Sequence, residues 1–281
     1  MLNSVTFFNN CNNGDVHVSR TFVRDLTSKV IAREYRYAHK NSPRLLLDQP
    51  WLKIIPPQDY PDVEVARTGD DVIINTWYGC MGGRFNIHWC HFDSLWNLFR
   101  AAYDHLLLPM PQNKVDFLPK IDYSAFYLEG VNRFFHMRGK KPSILVVNSA
   151  CHSNQATNFD MSPAIAELSR RYPTYDFLVT DRCPATGPNI FYTPDIIGLQ
   201  GSDLNENSYI STKCKMIIGR STGAFTFSLT KDNLLDPNKI FVGISNGGGS
   251  AIQWFDEAKC KTYVCVGANE EIKQVVCSAL G

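Results

Sequence analysis

A chain of 281 residues has room for two domains of about 150 residues each, and its hydrophobic share of 44% with 20% charged residues excludes a disordered polymer. The formal net charge of +1 supplies no global field for nucleic acid or an anionic membrane. No nucleic-acid partner is therefore expected, and phosphate recognition has to be local. The nine cysteines are scattered without a repeated close spacing. No basic-then-apolar leader opens the chain, no apolar run approaches the roughly 20 residues of a membrane span, and no Asn-x-Ser/Thr acceptor occurs. The expectation is a cytoplasmic protein with free thiols and no transmembrane segment.

Residues 4–8 form a short apolar strand that ends in Asn9-Asn10-Cys11-Asn12-Asn13-Gly14, which is loop chemistry. From Asp15 the spacing of Val16, Phe22, Val23, Leu26 and Val30 becomes helical. Strand, Gly-containing turn and helix open a βα unit. Further strands are predicted at 36–38, 51–55 and 72–77, and helices at 92–108 and 123–136. The basic punctuation Arg138-Gly139-Lys140-Lys141-Pro142 marks a domain boundary before a strand at 143–147.

The second half alternates more cleanly. Strands are expected at 175–179, 216–218, 240–244 and 263–266. Helices are expected at 163–171, 206–213, from 222 onward, and at 270–280. The fold class is α/β, with two Rossmann-like βαβ lobes of mainly parallel sheet facing a cleft. The lobes are expected at 1–140 and 141–281, with the last helix packing back on the first lobe.

In such sheets ligands sit beyond the carboxyl ends of strands, so the strand-to-helix loops carry the candidates. In the first loop Gly14 permits close backbone approach, and Asp15 stands at the helix entrance. A carboxylate there can cap the helix, worth about 0.5–2 kcal/mol, or act as a general base. The segments Gly14-Asp15-Val16 and Phe22-Val23-Arg24-Asp25-Leu26 resemble the opening of the bacterial heptosyltransferases, inverting glycosyltransferases of the two-lobe (GT-B) type. That resemblance implies Asp15 as catalytic base. Gly14, His17, Arg20 and Arg84 are acceptor-side candidates.

The run Ile218-Gly219-Arg220-Ser221-Thr222-Gly223 takes a buried strand into a Ser-Thr-Gly turn. Ser221 or Thr222 can cap the next helix, Gly223 lets a phosphate approach, and Arg220 adds a planar cation. This resembles the Asp-Thr-Gly loop of the heptosyltransferases and, more loosely, a strand–Ser–Ser turn in protein O-fucosyltransferases. Ser221 stands where the heptosyltransferases have aspartate, so their donor contacts do not carry over directly. Asn148, Ser149, His152, Ser153 and Asn154, in the loop after residues 143–147, complete the donor-side set.

Two other groups carry less. The run Gly247-Gly248-Gly249 lacks the dinucleotide spacing and is read first as a loop. Cys80, His88, Cys90 and His91 fit no familiar zinc pattern. No Asp-x-Asp motif occurs, so neither a metal nor a cofactor is expected. The implied activity is inverting transfer of a sugar from a nucleotide diphosphate-sugar co-substrate to a glycan or glycoconjugate acceptor. A nucleotide-sugar epimerase or hydrolase, and a non-catalytic nucleotide- or carbohydrate-binding protein, are the alternatives.

Overall fold

The computed structural model describes residues 1–61, 63–77, 91–152, 155–199, 203–246 and 249–281, with the backbone alone at His91. The chain divides into two units, Met1–Asp122 with Trp254–Asp256, and Tyr123–Gln253 with Glu257–Gly281. Residues 123–140, expected in the first lobe, therefore belong with the second unit.

The first unit is built on a five-stranded sheet, β1 (Leu2–Phe8), β2 (Ala32–Ala38), β3 (Leu52–Ile55), β4 (Val65–Thr68) and β5 (Asp71–Asn75). Its order is β3-β2-β1-β5-β4. All pairings are parallel except the β4–β5 hairpin, an edge element too short to give a period-2 signal. Helix α1 (Asn13–Lys29) buries Val16, Phe22, Val23 and Leu26, the stripe its 3.6-residue spacing dictates. Phe22 is the centre of that contact. Its ring stacks on Phe99 of α2 (His91–His105) with centroids 4.5 Å apart and meets Phe117 at 4.8 Å. Burying such a ring contributes about 1.5–3 kcal/mol.

The second unit holds a six-stranded sheet of β6 (Ser143–Val147), β7 (Asp176–Val179), β8 (Ile190–Tyr192), β9 (Met216–Arg220), β10 (Ile240–Ile244) and β11 (Lys261–Cys265). Every pairing is parallel, in the order β11-β10-β9-β6-β7-β8. β6, β9 and β10 are buried along their whole length, as continuous apolar strands covered on both faces require. The core of the unit joins these strands to α4 (Ser162–Arg171) and α9 (Asn269–Leu280) through Ile165, Leu168, Ile272 and Val276. Within the second unit the last helix packs on α4, β10 and β11.

Among the described residues the remaining α-helices are α3 (Glu129–Arg138), α5 (Thr193–Ile197), α6 (Leu204–Lys213), α7 (Gly223–Thr226) and α8 (Lys231–Leu235). Two glycines are set by close approach. A Cβ at Gly219 would lie 2.7 Å from the Phe225 ring and 2.8 Å from Val147 Cβ, and one at Gly243 would lie 2.0 Å from Ser250 Oγ. These contacts let the turns after β9 and β10 fold back onto the sheet. Among the described residues, no helix is long and apolar enough to cross a membrane.

Candidate functional site

The order β8-β7-β6-β9-β10-β11 places the first strand of the second sheet at its middle, with the chain winding outward to either side. The connections leaving β6 and β9 therefore diverge, and in open parallel sheets of this kind ligands bind at such a switch point, beyond the carboxyl ends of the strands. Of the predicted donor-side residues, Asn148 and Ser149 directly follow β6, and Ser221, Thr222 and Gly223 directly follow β9.

Arg220 ends β9 and is 3% exposed. Its Nε donates to the Thr157 carbonyl at 3.1 Å, and Nη1 to those of Asn148 at 2.6 Å and Ser149 at 3.3 Å. Nη2 donates to the Phe159 carbonyl, and the guanidinium stacks over the Phe159 ring at 4.9 Å. Burial pulls its pKa downward, against the nearby Asp160 charge. Asp160 itself accepts from the Ser162 N–H at 2.9 Å and from the Ser162 hydroxyl, bonds that hold its carboxyl below the usual range with help from Arg220. Arg220 therefore ties both ends of the β6–α4 loop to the end of β9.

Ser221 Oγ accepts from the Ala251 N–H at 3.0 Å, and Thr222 caps α7 by accepting from the Phe225 N–H at 3.2 Å. Gly223 is half-buried at the first position of that helix. Asn148 joins the segments that follow β6 and β7. Its Oδ1 accepts from the Asp181 N–H at 2.8 Å, and its Nδ2 donates to the Asp181 carbonyl at 2.8 Å. Ser149 Oγ donates to the Asp181 carboxylate. His152 is exposed, while Ser153 and Asn154 lie outside the described residues, as do Gly247 and Gly248.

Two members of this edge escaped sequence reasoning. Asp181 is an exposed carboxylate just past the second strand of the sheet, and its position two residues after residues 175–179 was the available signal. Asn158 closes the loop on itself: its Oδ1 accepts from the Cys151 N–H at 2.7 Å, and its Nδ2 donates to the Cys151 carbonyl at 2.8 Å.

In the first unit, Asp15 sits in the opening turn of α1 and is half-buried. Its Oδ2 accepts from the Asn12 N–H at 3.0 Å, so the carboxylate does cap its own helix. Its charge is felt at Cys11, whose thiol is pushed up to about 11 by burial first and by Asp15 second. Gly14 and His17 are buried. Arg20 is fully buried, 3.6 Å from the Asp48 carboxylate and donating to the Leu45 carbonyl, so its guanidinium is engaged inside the unit. In the same unit Trp96 packs edge-on to Phe22 and Phe117, whereas Trp77 is exposed.

Arg84, Tyr78, Trp89, Cys80, His88 and Cys90 lie outside the described residues. Among the described residues, no three His, Cys, Asp or Glu side chains gather to hold a metal ion.

The protein is thus a mixed α/β chain with two mainly parallel sheets, the plan seen in GT-B-like glycosyltransferases. No protein-family model and no curated protein matches its sequence. Its structure is similar to that of a glycosyl transferase family 9 protein from Veillonella parvula, with a TM-score of 0.58 at 10% identity, covering 98% of this chain and 89% of that one. It is also similar to the E. coli heptosyltransferase WaaC with ADP-2-deoxy-2-fluoro heptose, with a TM-score of 0.57 at 10% identity over 98% and 99% of the two chains. The E. coli ADP-heptose lps heptosyltransferase II gives 0.50 at 11% identity over 99% and 98%. At such identities the likeness is one of fold.

Proposed function

We propose that this chain is a glycosyltransferase that moves a sugar from a nucleotide diphosphate-sugar to a hydroxyl of a glycan or glycoconjugate with inversion. The observation that carries the reading is the switch point in the strand order of the second sheet, where a pre-bonded polar loop follows β6. Support comes from the shared fold of WaaC structures that hold ADP and an ADP-linked fluoroheptose.

In this reading the donor binds at the carboxyl edge of the second sheet. The diphosphate lies against the 221–223 turn and the polar 148–154 segment. Asp181 takes the place of the acidic residue that accepts from ribose hydroxyls in Rossmann sheets. Arg220 acts by holding the β6–α4 loop in shape rather than as a free cation. The acceptor binds at the carboxyl edge of the first sheet. Asp15 removes the hydroxyl proton as the new C1–O bond forms, and the old C1–O bond breaks with its electron pair leaving on the diphosphate. No metal is assigned a step. A cytoplasmic location belongs to the same proposal and rests on the free thiols.

The capping bond to Asn12 uses one carboxylate oxygen of Asp15 and orients the other. Base catalysis of this kind contributes about 10²–10⁴-fold. Asp15→Asn should therefore lower turnover by about that factor while the affinity for ADP, measured by calorimetry, stays within about twofold. Full turnover in this variant would remove Asp15 from the chemistry. Sugar released from donor alone, at the same rate with and without acceptor, would favour a hydrolase.

A further inference from the structure

β11 is the outermost strand on one side of the second sheet. The Lys261 N–H donates to the Lys239 carbonyl at 2.9 Å, and the Cys265 carbonyl accepts from the Ser245 N–H at 3.0 Å. Lys261, Tyr263 and Cys265 therefore turn their main chain toward β10. Strand alternation then points the N–H and C=O of Thr262 and Val264 away from the sheet. On the carboxyl side of this pair, Glu271 accepts from the Val266 N–H at 3.0 Å and the Gly267 N–H at 3.2 Å. On the amino side, the Cys260 N–H donates to the Leu234 carbonyl at 3.1 Å. Thr262 is exposed, and Val264 and Val266 are 40% and 61% exposed, so solvent reaches this edge.

The two ends of the edge carry opposite charge. Lys259 and Lys261 are exposed at the amino end, where Cys260 also feels Asp236 and Lys239. At the carboxyl end Glu270 and Glu271 open α9, and Lys273 is shared between Glu270 and Glu167. Cys265 belongs to the core with Ile272 and Val276 of α9, and Tyr263 packs against it. Lys261, Tyr263 and Cys265 thus lie on the face that α9 covers, the face that also carries the glutamates. A second strand laid parallel to this edge with the same charges would set like against like. Laid antiparallel, it brings lysines to glutamates at both ends.

We infer that β11 pairs antiparallel with β11 of a second copy of this chain, about a two-fold axis at Tyr263, to give one continuous sheet. The N–H groups still open decide the register. With Thr262 opposite Val264 of the second copy, every outward N–H and C=O of both residues is bonded. Pairing Val264 with Val264 would call on the Val266 N–H, and pairing Thr262 with Thr262 on the Cys260 N–H, both already taken. Tyr263 then faces Tyr263 of the second copy in the closer, non-hydrogen-bonded arrangement, which favours aromatic pairs. The contact is isologous, each copy giving and receiving the same groups. It goes beyond the transfer reaction and does not depend on it.

The test is sedimentation velocity on the full chain over a series up to about 100 μM, which reveals a dimer of micromolar dissociation constant. Amide hydrogen exchange is followed at both ends of the series. The parent should pass from one chain to two, and the Thr262 and Val264 amides should gain protection in step. Val264→Pro removes an N–H that β10 does not use, a change that an edge strand tolerates. That variant should keep its fold by circular dichroism and stay a single chain throughout. Lys261→Glu should raise the dissociation constant about tenfold, and adding Glu270→Lys should bring it back to within about threefold of the parent. The charge variants serve alone if the proline variant does not fold. A single chain at every concentration overturns the inference, as does a dimer that survives in folded Val264→Pro or is indifferent to Lys261→Glu.

Discussion

Replacing Arg220 by leucine separates two roles that the sequence leaves open for this residue. In the structure its guanidinium nitrogens reach four main-chain carbonyls, at Asn148, Ser149, Thr157 and Phe159. Hydrogen bonds from a charged donor are worth about 1.5–3 kcal/mol each before compensation. Two effects reduce the sum. The buried guanidinium was itself costly to desolvate, and Asn148, Ser149, Thr157 and Phe159 are all partly or fully exposed, so water can reach the vacated carbonyls. A net loss of about 3 kcal/mol remains, equivalent to a fall in Tm of about 6–12 °C for a domain of this size. The leucine also removes the guanidinium stacked on the Phe159 ring, so the loss reports the hydrogen bonds and that contact together.

The assay is thermal unfolding followed by circular dichroism, paired with calorimetric titration of ADP. Arg220→Lys should recover less than half of the lost stability, because an ammonium cannot span carbonyls on both ends of the loop. A leucine variant that melts within about 1 °C of the parent but binds ADP more than tenfold more weakly would refute this reasoning. It would make Arg220 a free phosphate clamp.

Three other outcomes follow from the same coordinates, besides the Asp15→Asn result. Asp181→Ala should weaken nucleotide diphosphate binding about tenfold and erase the preference for ribo- over 2′-deoxyribonucleotide, measured by competition binding. Gly219→Ala forces a methyl against Phe225 and Val147 and should cost about 1–3 kcal/mol in urea unfolding. Stability should also fall on acidification through His39, whose folded pKa of about 4 lies below the ordinary 6.5. The unfolded chain binds the proton first, so this contribution is complete above pH 6.5 and lost as pH falls toward 4. The shift amounts to at most about 3 kcal/mol. His39→Gln should flatten the pH dependence of the urea midpoint over that window, and an unchanged slope would show the ring to be solvated.

How much of this was legible in the sequence depends on whether a feature is periodic or relational. The apolar runs of β6 and β10 and the stripe of α1 announce themselves, because burial of one face imposes a period that composition records. Three-residue β8 and the β4 edge carry too few residues to do so. Helix α6 reads as polar, yet it buries Asn205, Glu206, Asn207, Ser208 and Ser211. Part of the reason is a polar seam beneath it: Ser208 Oγ donates to the Phe227 carbonyl at 2.5 Å, and Asn233 Nδ2 donates to Ser211 Oγ at 2.7 Å. Hydropathy counts such a face as solvent-facing because the partners come from elsewhere in the chain.

The same limit applies to the candidate site, where position was readable and partnership was not. The sequence marks the turns after residues 143–147 and 216–218 as places for chemistry, but it cannot show that Arg220 is engaged by carbonyls as far back as Asn148. Nor can it show that Asp181, 33 residues from Asn148, is held by it through two main-chain bonds. These bonds settle the loop conformations before any ligand arrives, so binding need not meet the ordering cost of about 1–2 kcal/mol per backbone residue. Arg220, Asn148 and Asn158 therefore build the loops of this edge, their polar groups already spent on the main chain.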